Sequence, residues 1–550
     1  MRVIVIGGVA GGMSAATRLR RLDESAEITV LERGGYVSYA NCGLPYYIGG
    51  EIEDRGELLL HTPESLRARF RLDVRTRHEA RSIDLAARRV EVIDHRTDAL
   101  IELEYDVLVL AAGAAANPIH ADGIPVHTLR TIDDIDAIDA ILGSDDDGPA
   151  LVVGGGYIGV EAAENLTRRG VSTTLVHRGP HLLATLDPEL AVLVEHELRA
   201  HGVDLRTSTE IQSATGGEVQ LSDGGAVRPR LIVNASGATP NTALARAAGL
   251  RLGASGGIAV DGQNRTSDRH VYAVGDGVEK IGPDGAHAIV AMAGLANRHG
   301  RTTADVIAGR EDENSPALGT AVVRAFGLTA ASVGWSEQRL RRAGRPYRAV
   351  HTHPMSHAGY FPGADRMALK LLIDPVDDAI LGAQAVGGAG VDKRIDVLSV
   401  AMAGGITASG LARLELAYAP QYGQAKDPIN QLGYVADNVR TGATATVQWH
   451  ELEALQRDGA TVVDVRSDVE RAAGAIPGAL GIPLDELRER LDELSSAPVV
   501  VYCQVGQRGH TAARLLVQRG IDARNLDGGY RTWSAGREAS VAAPEMMEAR

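Results

Sequence analysis

Cysteine is almost absent: 550 residues contain two, Cys42 and Cys503. Two thiols cannot build a disulfide framework, and reactive thiols persist best in a reducing compartment. No second cysteine stands four or five positions from Cys42, which excludes a vicinal dithiol pair. Redox chemistry at Cys42 therefore needs a disulfide partner from a substrate or another protein. Long apolar runs are missing too: no window approaches the ~18 residues that suggest a membrane span. The N-terminus, Met-Arg-Val-Ile-Val-Ile-Gly, has no cleavage site or long h-region, so it is a strand and not a signal peptide. The expectation is a soluble, cytoplasmic protein without membrane contact. There is no basic block, and the net charge is −15, which argues against a nucleic-acid partner. Aromatics are only 4% of residues, whereas glycine is frequent at 64, a balance that suits folds in which backbone approaches a nucleotide. No metal-ligand set is assigned.

At about 150 residues per domain the chain has room for three or four domains. Its start reads strand Arg2 to Ile6, glycine turn Gly7-Gly8-Val9-Ala10-Gly11-Gly12, helix Met13 to Leu22, strand Ile28 to Leu31, then Glu32 and Arg33. Such a unit sets a pyrophosphate on the helix N-terminus and a carboxylate on a ribose hydroxyl. The middle glycine of G-x-G-x-x-G is Val9, so the turn alone does not decide. Two later segments add to it. Residues 106–113 form a buried strand ending in Ala112-Gly113, and residues 271–276 form another ending in Gly275-Asp276. In flavoproteins with two dinucleotide units, the first segment closes the nucleotide lobe and the aspartate holds the ribityl chain. Together the three predict an FAD site through Gly7, Gly8, Ala10, Gly11, Glu32, Arg33, Ala112, Gly113, Gly275 and Asp276.

A second unit lies between them: strand Leu151 to Val153, Gly154-Gly155-Gly156-Tyr157-Ile158-Gly159, a helix from Val160 to Arg169, and a strand ending in His177-Arg178. A cationic pair at that strand end is better placed for a 2′-phosphate than for a free ribose hydroxyl. The expectation is NADPH, held by Gly154, Gly156, Gly159, His177 and Arg178, with Gly237 a further cofactor contact. The alternative is that His177 and Arg178 are solvated loop residues, and NADH stays possible.

The predicted partition is a discontinuous FAD-binding domain over 1–115 and 250–318, a nicotinamide-nucleotide domain over 116–249 and an α+β domain over 319–440. A linker at 441–447 and an α/β domain over 448–540 follow, with disorder after about Ala535. In the last domain the expected alternation is Glu451 to Gln456, Thr461 to Val465, a helix Leu484 to Leu494, Val499 to Tyr502 and Gly509 to Gln518. Cys503 ends a strand and is followed by Gln504-Val505-Gly506-Gln507-Arg508 and a helix. Backbone N–H groups, the helix dipole and Arg508 would favour a thiolate there. The same cradle suits phosphate, but the six-residue loop fits a sulfane sulfur.

Residues 448–540 resemble a rhodanese domain, through Val463-Asp464-Val465-Arg466, Ile476-Pro477-Gly478-Ala479, the Cys503–Arg508 loop, Leu526-Asp527-Gly528-Gly529-Tyr530 and Trp533. The residue before Ile476, often histidine in that family, is Ala475. Residues 1–440 resemble coenzyme A disulfide reductase, a single-cysteine branch of the pyridine nucleotide–disulfide reductases. That match is carried by Gly7 to Gly12, Ser38-Tyr39-Ala40-Asn41-Cys42 (Tyr39 where the family usually has Phe), Tyr360, Tyr418 and Lys426-Asp427-Pro428. The whole is similar to fused reductase–rhodanese enzymes, which include NAD(P)H-dependent persulfide and polysulfide reductases.

The resemblance implies electron flow from NADPH through FAD to Cys42, with Cys42 attacking coenzyme A disulfide, coenzyme A persulfide or a polysulfide. It implies a homodimer in which Tyr418 first and Tyr360 second serve the partner subunit's Cys42, with Cys503 carrying sulfane sulfur. Ser38, Asn41, Arg18, Arg20, Arg21 and Lys426 are the implied coenzyme A contacts; for the arginines a solvated helix face is the alternative. A rival reading makes the rhodanese a docking or sensing module on an NAD(P)H oxidase or thiol-pool reductase.

Overall fold

The computed structural model describes residues 1–494 and 496–542. The chain divides into two compact units, Met1–Gly154 with Asn165–Thr173 and Ile211–Gly319, and Gly155–Glu164 with Thr174–Glu210 and Thr320–Arg550.

In the first unit a five-stranded sheet runs Val271–Ala273, Val107–Leu110, Arg2–Ile6, Glu27–Glu32 and Asp73–Thr76. The central Arg2–Ile6 pairs in parallel with both neighbours, and its Val and Ile side chains are buried on both faces. A parallel strand covered on both sides needs that continuous apolar run. The helix Ala10–Leu22 starts three residues earlier than the apolar pattern suggested and packs along Ala293–Ile307. Small residues permit the approach: a Cβ at Gly300 would lie 2.3 Å from the Gly11 carbonyl oxygen. The strands Val126–His127, Leu231–Asn234 and Ala150–Val153 form a second parallel set. Antiparallel Ala114–Ala116 and Ala238–Pro240 accompany it.

In the second unit Thr173–Val176 pairs in parallel with Asp204–Arg206. An antiparallel sheet of Ala321–Ala325, Leu328–Gly334, Ile380–Gly387, Met367–Ile373 and Arg348–Thr352 packs through Leu328–Gly334 and Ile380–Gly387 against the helix Val391–Ala403. The last domain is a parallel sheet in the order Thr446–Val447, Ala523–Leu526, Val499–Tyr502, Thr461–Asp464, Leu480–Gly481.

Three expectations change here. The segment at 441–447 is not a slack linker, because Thr446 and Val447 pair with Asn525 and Leu526 as an edge strand. Leu484 to Leu494 is a chain of turns with one 3-10 turn, Leu491–Glu493, instead of a helix. Its main-chain bonds are i to i+3, and Leu484, Leu487, Leu491 and Leu494 all pack on one core, so burial overrides helix propensity. Order continues past Ala535, since the helix Gly529–Ala542 carries on; residues 543–550 lie outside the described residues. Among the described residues, no helix is long and apolar enough to cross a membrane.

Candidate active site

The first glycine turn is held from both sides. Gly7 has φ +107°, and a Cβ there would lie 2.2 Å from the Ala111 carbonyl oxygen, so only glycine fits. Glu32 closes the turn: its Oε2 accepts from Gly8 N at 2.9 Å and its Oε1 from Gly34 N at 2.7 Å. Each oxygen keeps a lone pair for a ribose hydroxyl. Arg33 beside it is exposed. Gly113 and Gly275 also have positive φ, and a Cβ at either would meet nothing within 4 Å. These open backbone faces, with half-buried Asp276 next to Gly275, form a cradle that FAD fits. Gly11 instead packs on Val274 and the Ala296 carbonyl.

Cys42 sits directly beside that turn. Ser38 N donates to Gly8 O at 2.8 Å, Ala40 N to Leu58 O, and Cys42 lies in the 3-10 turn Asn41–Gly43. Its thiol is exposed, with Sγ 3.8 Å from Asn41 Oδ1. Ser38 adopts φ +48°, a left-handed backbone that costs about 1 kcal/mol or more for a non-glycine residue and often marks functional loops. Tyr39 donates to Arg130 O at 3.2 Å; burial, then the Glu32 charge, pushes its hydroxyl up to about 12.

Sequence reasoning missed Lys280. It is buried, donates to Gly275 O at 2.7 Å and Val278 O at 3.0 Å, and burial brings its pKa down to about 8. It braces the turn that carries Asp276; a lone lysine four residues downstream gave no signal for this.

At the second glycine unit, Gly154 has φ +111° against the Ala235 carbonyl, and the Cβ direction of Gly156 is open, as a close pyrophosphate requires. Gly159 is buried in the helix Tyr157–Arg168. Gly237 (φ +113°) accepts from Asn117 N and belongs to the antiparallel connection. His177 Nδ1 accepts from Gly155 N at 3.1 Å. Burial, with Arg178 adding to it, lowers the imidazole pKa, so His177 is neutral and part of the loop's scaffold. The expected cationic pair is thus reduced to Arg178, which is exposed.

Arg20 is corrected as well. All five of its guanidinium N–H groups reach main-chain carbonyls, of Phe70, Asp23, Glu24, Ala26 and Arg71. It ties the helix end to neighbouring loops and has no donor left for a ligand. Arg18 is bidentate to Asp305, at 2.7 and 3.1 Å. Arg21 is exposed over the Phe70 ring.

In the second unit two loops are stitched together: Ala358 N bonds to Pro420 O and Gly423 O, and Gln424 Nε2 to Met355 O. This brings the Tyr360 and Tyr418 hydroxyls to 3.1 Å. Tyr360 is 77% exposed and Tyr418 48%, with Tyr422 and Phe361 exposed beside them. The Tyr360 hydroxyl is the main cause of a raised pKa at Tyr418. Lys426 is exposed, and the next residue, Asp427, caps the helix Pro428–Arg440 and pairs with buried Arg394 at 2.9 Å.

The second thiol differs. Cys503 is fully buried at the end of Val499–Tyr502, and Gly506 (φ +88°) leads into the helix Gln507–Gln518. Arg508 is bidentate to Glu470, and donating to Glu470, with a smaller contribution from neighbouring Cys503, holds the guanidinium above its usual range. Gln504 Oε1 accepts from buried Arg466, which pairs with Asp464 and stacks over Tyr530 at 4.3 Å.

Residues 1–294 match the pyridine nucleotide-disulphide oxidoreductase family, residues 320–427 its dimerisation domain, and residues 448–536 the rhodanese-like domain. Coenzyme A disulfide reductase of Staphylococcus aureus (strain JH9) is 35% identical over 437 residues, 79% of this chain and 99% of that one. The chain belongs to the pyridine nucleotide-disulphide oxidoreductases. Among solved members of comparable architecture, reduced Bacillus anthracis CoADR-RHD is 40% identical, with a TM-score of 0.95 over 99% of this chain and 98% of that one. An NAD-dependent persulfide reductase from A. fulgidus is 36% identical, with a TM-score of 0.90 over 97% of this chain and 100% of that one. This oxidoreductase therefore carries a rhodanese-like domain behind its dimerisation domain, with one exposed and one buried cysteine. Among its described residues, no group of His, Cys, Asp and Glu could hold a metal ion.

Proposed function

We propose that this oxidoreductase uses NAD(P)H to reduce coenzyme A disulfide or coenzyme A persulfide at Cys42, and that Cys503 carries sulfane sulfur within the same pathway. The observation that carries this is the pairing of an exposed thiol beside a flavin-nucleotide turn with a buried thiol in a six-residue loop. Similarity to the S. aureus disulfide reductase and to the A. fulgidus persulfide reductase supports both acceptors.

FAD, when bound at Gly7–Gly12, Glu32, Gly113 and Gly275–Asp276, supplies the two-electron relay between nicotinamide and thiol. The chain's own part is positional and acid–base. The Cys42 thiolate attacks one sulfur of the acceptor, the S–S bond breaks, and the departing thiolate takes the electron pair. Tyr418, hydrogen-bonded to Tyr360, donates to that thiolate in a homodimer where the pair serves the partner subunit's Cys42. Coenzyme A contacts fall to Ser38, Asn41, Arg18, Arg21 and Lys426. Arg178 provides the cation for a 2′-phosphate, which favours NADPH over NADH.

The deciding experiment is anaerobic NADPH oxidation on one preparation, comparing kcat/KM for coenzyme A persulfide and coenzyme A disulfide, with Cys503→Ser alongside. A persulfide advantage lost in Cys503→Ser supports one sulfur pathway. Turnover of every sulfur donor unchanged in Cys503→Ser refutes it and leaves the rhodanese as a docking module.

A further inference from the structure

The segment Asp527–Arg531 has the Cys503 loop on one side. Tyr530 N donates to Cys503 O at 2.8 Å and Arg531 N to Gln504 O at 3.1 Å. Gly529 has φ +65°, and a Cβ there would lie 2.4 Å from Cys503 O and 2.7 Å from Gly506 N. On its other side the same segment meets His351, on the strand Arg348–Thr352 of the dimerisation domain. Asp527 Oδ2 accepts from His351 N at 2.9 Å, lies 2.7 Å from His351 Nδ1, and accepts from Gln448 Nε2 at 3.2 Å. A Cβ at Gly528 would lie 2.9 Å from His351 Cβ, and His353 Nε2 is 2.8 Å from Thr532 Oγ1. The bridge between the imidazole and the thiol loop is thus two residues thick.

Both ring nitrogens of His351 face carboxylates: Nδ1 faces Asp527, and Nε2 faces Glu189 Oε1 at 3.0 Å. Two ionised acceptors need two donors, which only the imidazolium supplies. We propose that His351 is the positioning residue of the rhodanese thiol: as an imidazolium it clamps Asp527 and so fixes the main chain on which the Cys503 loop is hung. This rests on the reading of Cys503 as a sulfur carrier.

The charges around the ring agree. Burial would lower the imidazole, but donating to Asp527, the Asp527 charge and donating to Glu189 outweigh it and lift His351 to about 9. Lys370, opposite His351 across the strand pair, opposes this and is itself held by Asp187, Glu189 and Glu337. His353, which faces Arg531 and Arg366, is pushed down to about 3 by burial and then by the His351 charge, so it adds none of its own. A value raised above the ordinary 6.5 means that the clamp is complete below about pH 6.5 and is lost as pH rises through about 9.

The test is single-turnover loading of the full-length enzyme with thiosulfate. The Cys503 thiolate attacks the outer sulfur, the S–S bond breaks, sulfite leaves with the electron pair, and no electrons are exchanged overall. Intact mass reads the persulfide. His351→Gln is expected to slow loading by about tenfold to a hundredfold, the scale of a misplaced reacting group, with coenzyme A disulfide reduction at Cys42 unchanged. Wild-type loading should show an alkaline fall near pH 9 that His351→Gln lacks. Asp527→Asn, which keeps size and still accepts the His351 main-chain N–H, should move that fall towards the ordinary histidine range. Wild-type loading rates in His351→Gln, or an alkaline fall that neither variant moves, overturn the clamp alone. A wild-type enzyme that takes no sulfur from thiosulfate or from coenzyme A persulfide removes the carrier reading and this proposal with it.

Discussion

Lys370→Met tests whether the buried ion cluster behind His351 behaves as its geometry requires. Lys370 is fully buried, with Nζ 2.9 Å from Asp187 Oδ2, 2.5 Å from Glu189 Oε1 and 3.4 Å from Glu337 Oε1. Methionine keeps most of the volume, so the loss is electrostatic rather than a cavity. Removing one partner of a buried pair costs about 3–5 kcal/mol, because carboxylates are stranded away from water. For a unit of this size, at about 2 °C or more per kcal/mol, the thermal midpoint should fall by roughly 5–10 °C at neutral pH. The pH dependence gives the sharper reading. In the native protein Glu189 is held well below its usual range: burial opposes this, but Lys370 and then His351 prevail. It therefore contributes stability above its ordinary value, which is lost only as pH falls through the depressed one. Without the lysine, burial raises the carboxylates instead, so the variant's folded state gains protons and its stability falls as pH rises. The gap between wild type and variant should widen by up to about 1.4 kcal/mol per pH unit for each proton taken up. Scanning calorimetry from pH 5 to 8, with Glu189→Gln/Lys370→Met as a partial rescue, measures it. A midpoint change under about 1 °C, or a gap that narrows as pH rises, would refute the buried-pair account.

Other outcomes follow from single contacts. Tyr418→Phe should lower kcat/KM for coenzyme A disulfide about a hundredfold in anaerobic steady-state assays, and Tyr360→Phe less, because a lost general acid costs at least that scale. Arg178→Ala should lower kcat/KM for NADPH about tenfold to a hundredfold and leave NADH nearly unchanged, since one charge-assisted contact to the phosphate is worth ~1.5–3 kcal/mol; equal effects on both would remove Arg178 as the selector. Gly529→Ala, with positive φ and main chain 2.4 Å from the new Cβ, should abolish sulfur loading at Cys503 while Cys42 turnover persists. Glu470, lowered to about 2 chiefly by its bond to Arg508, contributes stability above its ordinary 4.5 that is lost as pH falls through about 2; Glu470→Gln should flatten that acid limb in circular dichroism.

What the sequence could express was local chemistry. Gly7, Gly154 and the Cys503 loop are readable because a left-handed glycine and a thiol before a helix start follow from residue type and spacing; Glu32 is readable as the acid beside the glycine turn, where it accepts from Gly8 N. Arg20 and His177 were misjudged for the opposite reason. Their type and place allow a ligand, but whether a guanidinium is already satisfied depends on carbonyls of Phe70 and Arg71, about fifty residues away. The turns at 484–494 hid behind a strong helix pattern because four leucines serve a core that the local period does not describe. Lys370 and His351 gave no signal, and Asp527 stood out only within a motif; the contacts that join them form when residues from 187 to 527 are folded together.

The two thiols also divide the chemistry by size. Cys42 is exposed on a 3-10 turn, so a bulky disulfide can align its S–S bond with the thiolate, as displacement at sulfur requires. Cys503 is fully buried, its carbonyl bonded to Tyr530 N and its loop backed by Gly529. On the proposed reading, a thiol enclosed in this way suits acceptance of a single sulfur atom rather than a lasting mixed disulfide with a large thiol. Arg508, drawn to Glu470 in a bidentate pair, has its charge already partly neutralised. The loop therefore holds a singly charged persulfide sulfur more readily than a phosphate dianion, which would need an uncommitted guanidinium. On the reading proposed above, exposure suits Cys42 to disulfide exchange and enclosure suits Cys503 to carriage of a single sulfur.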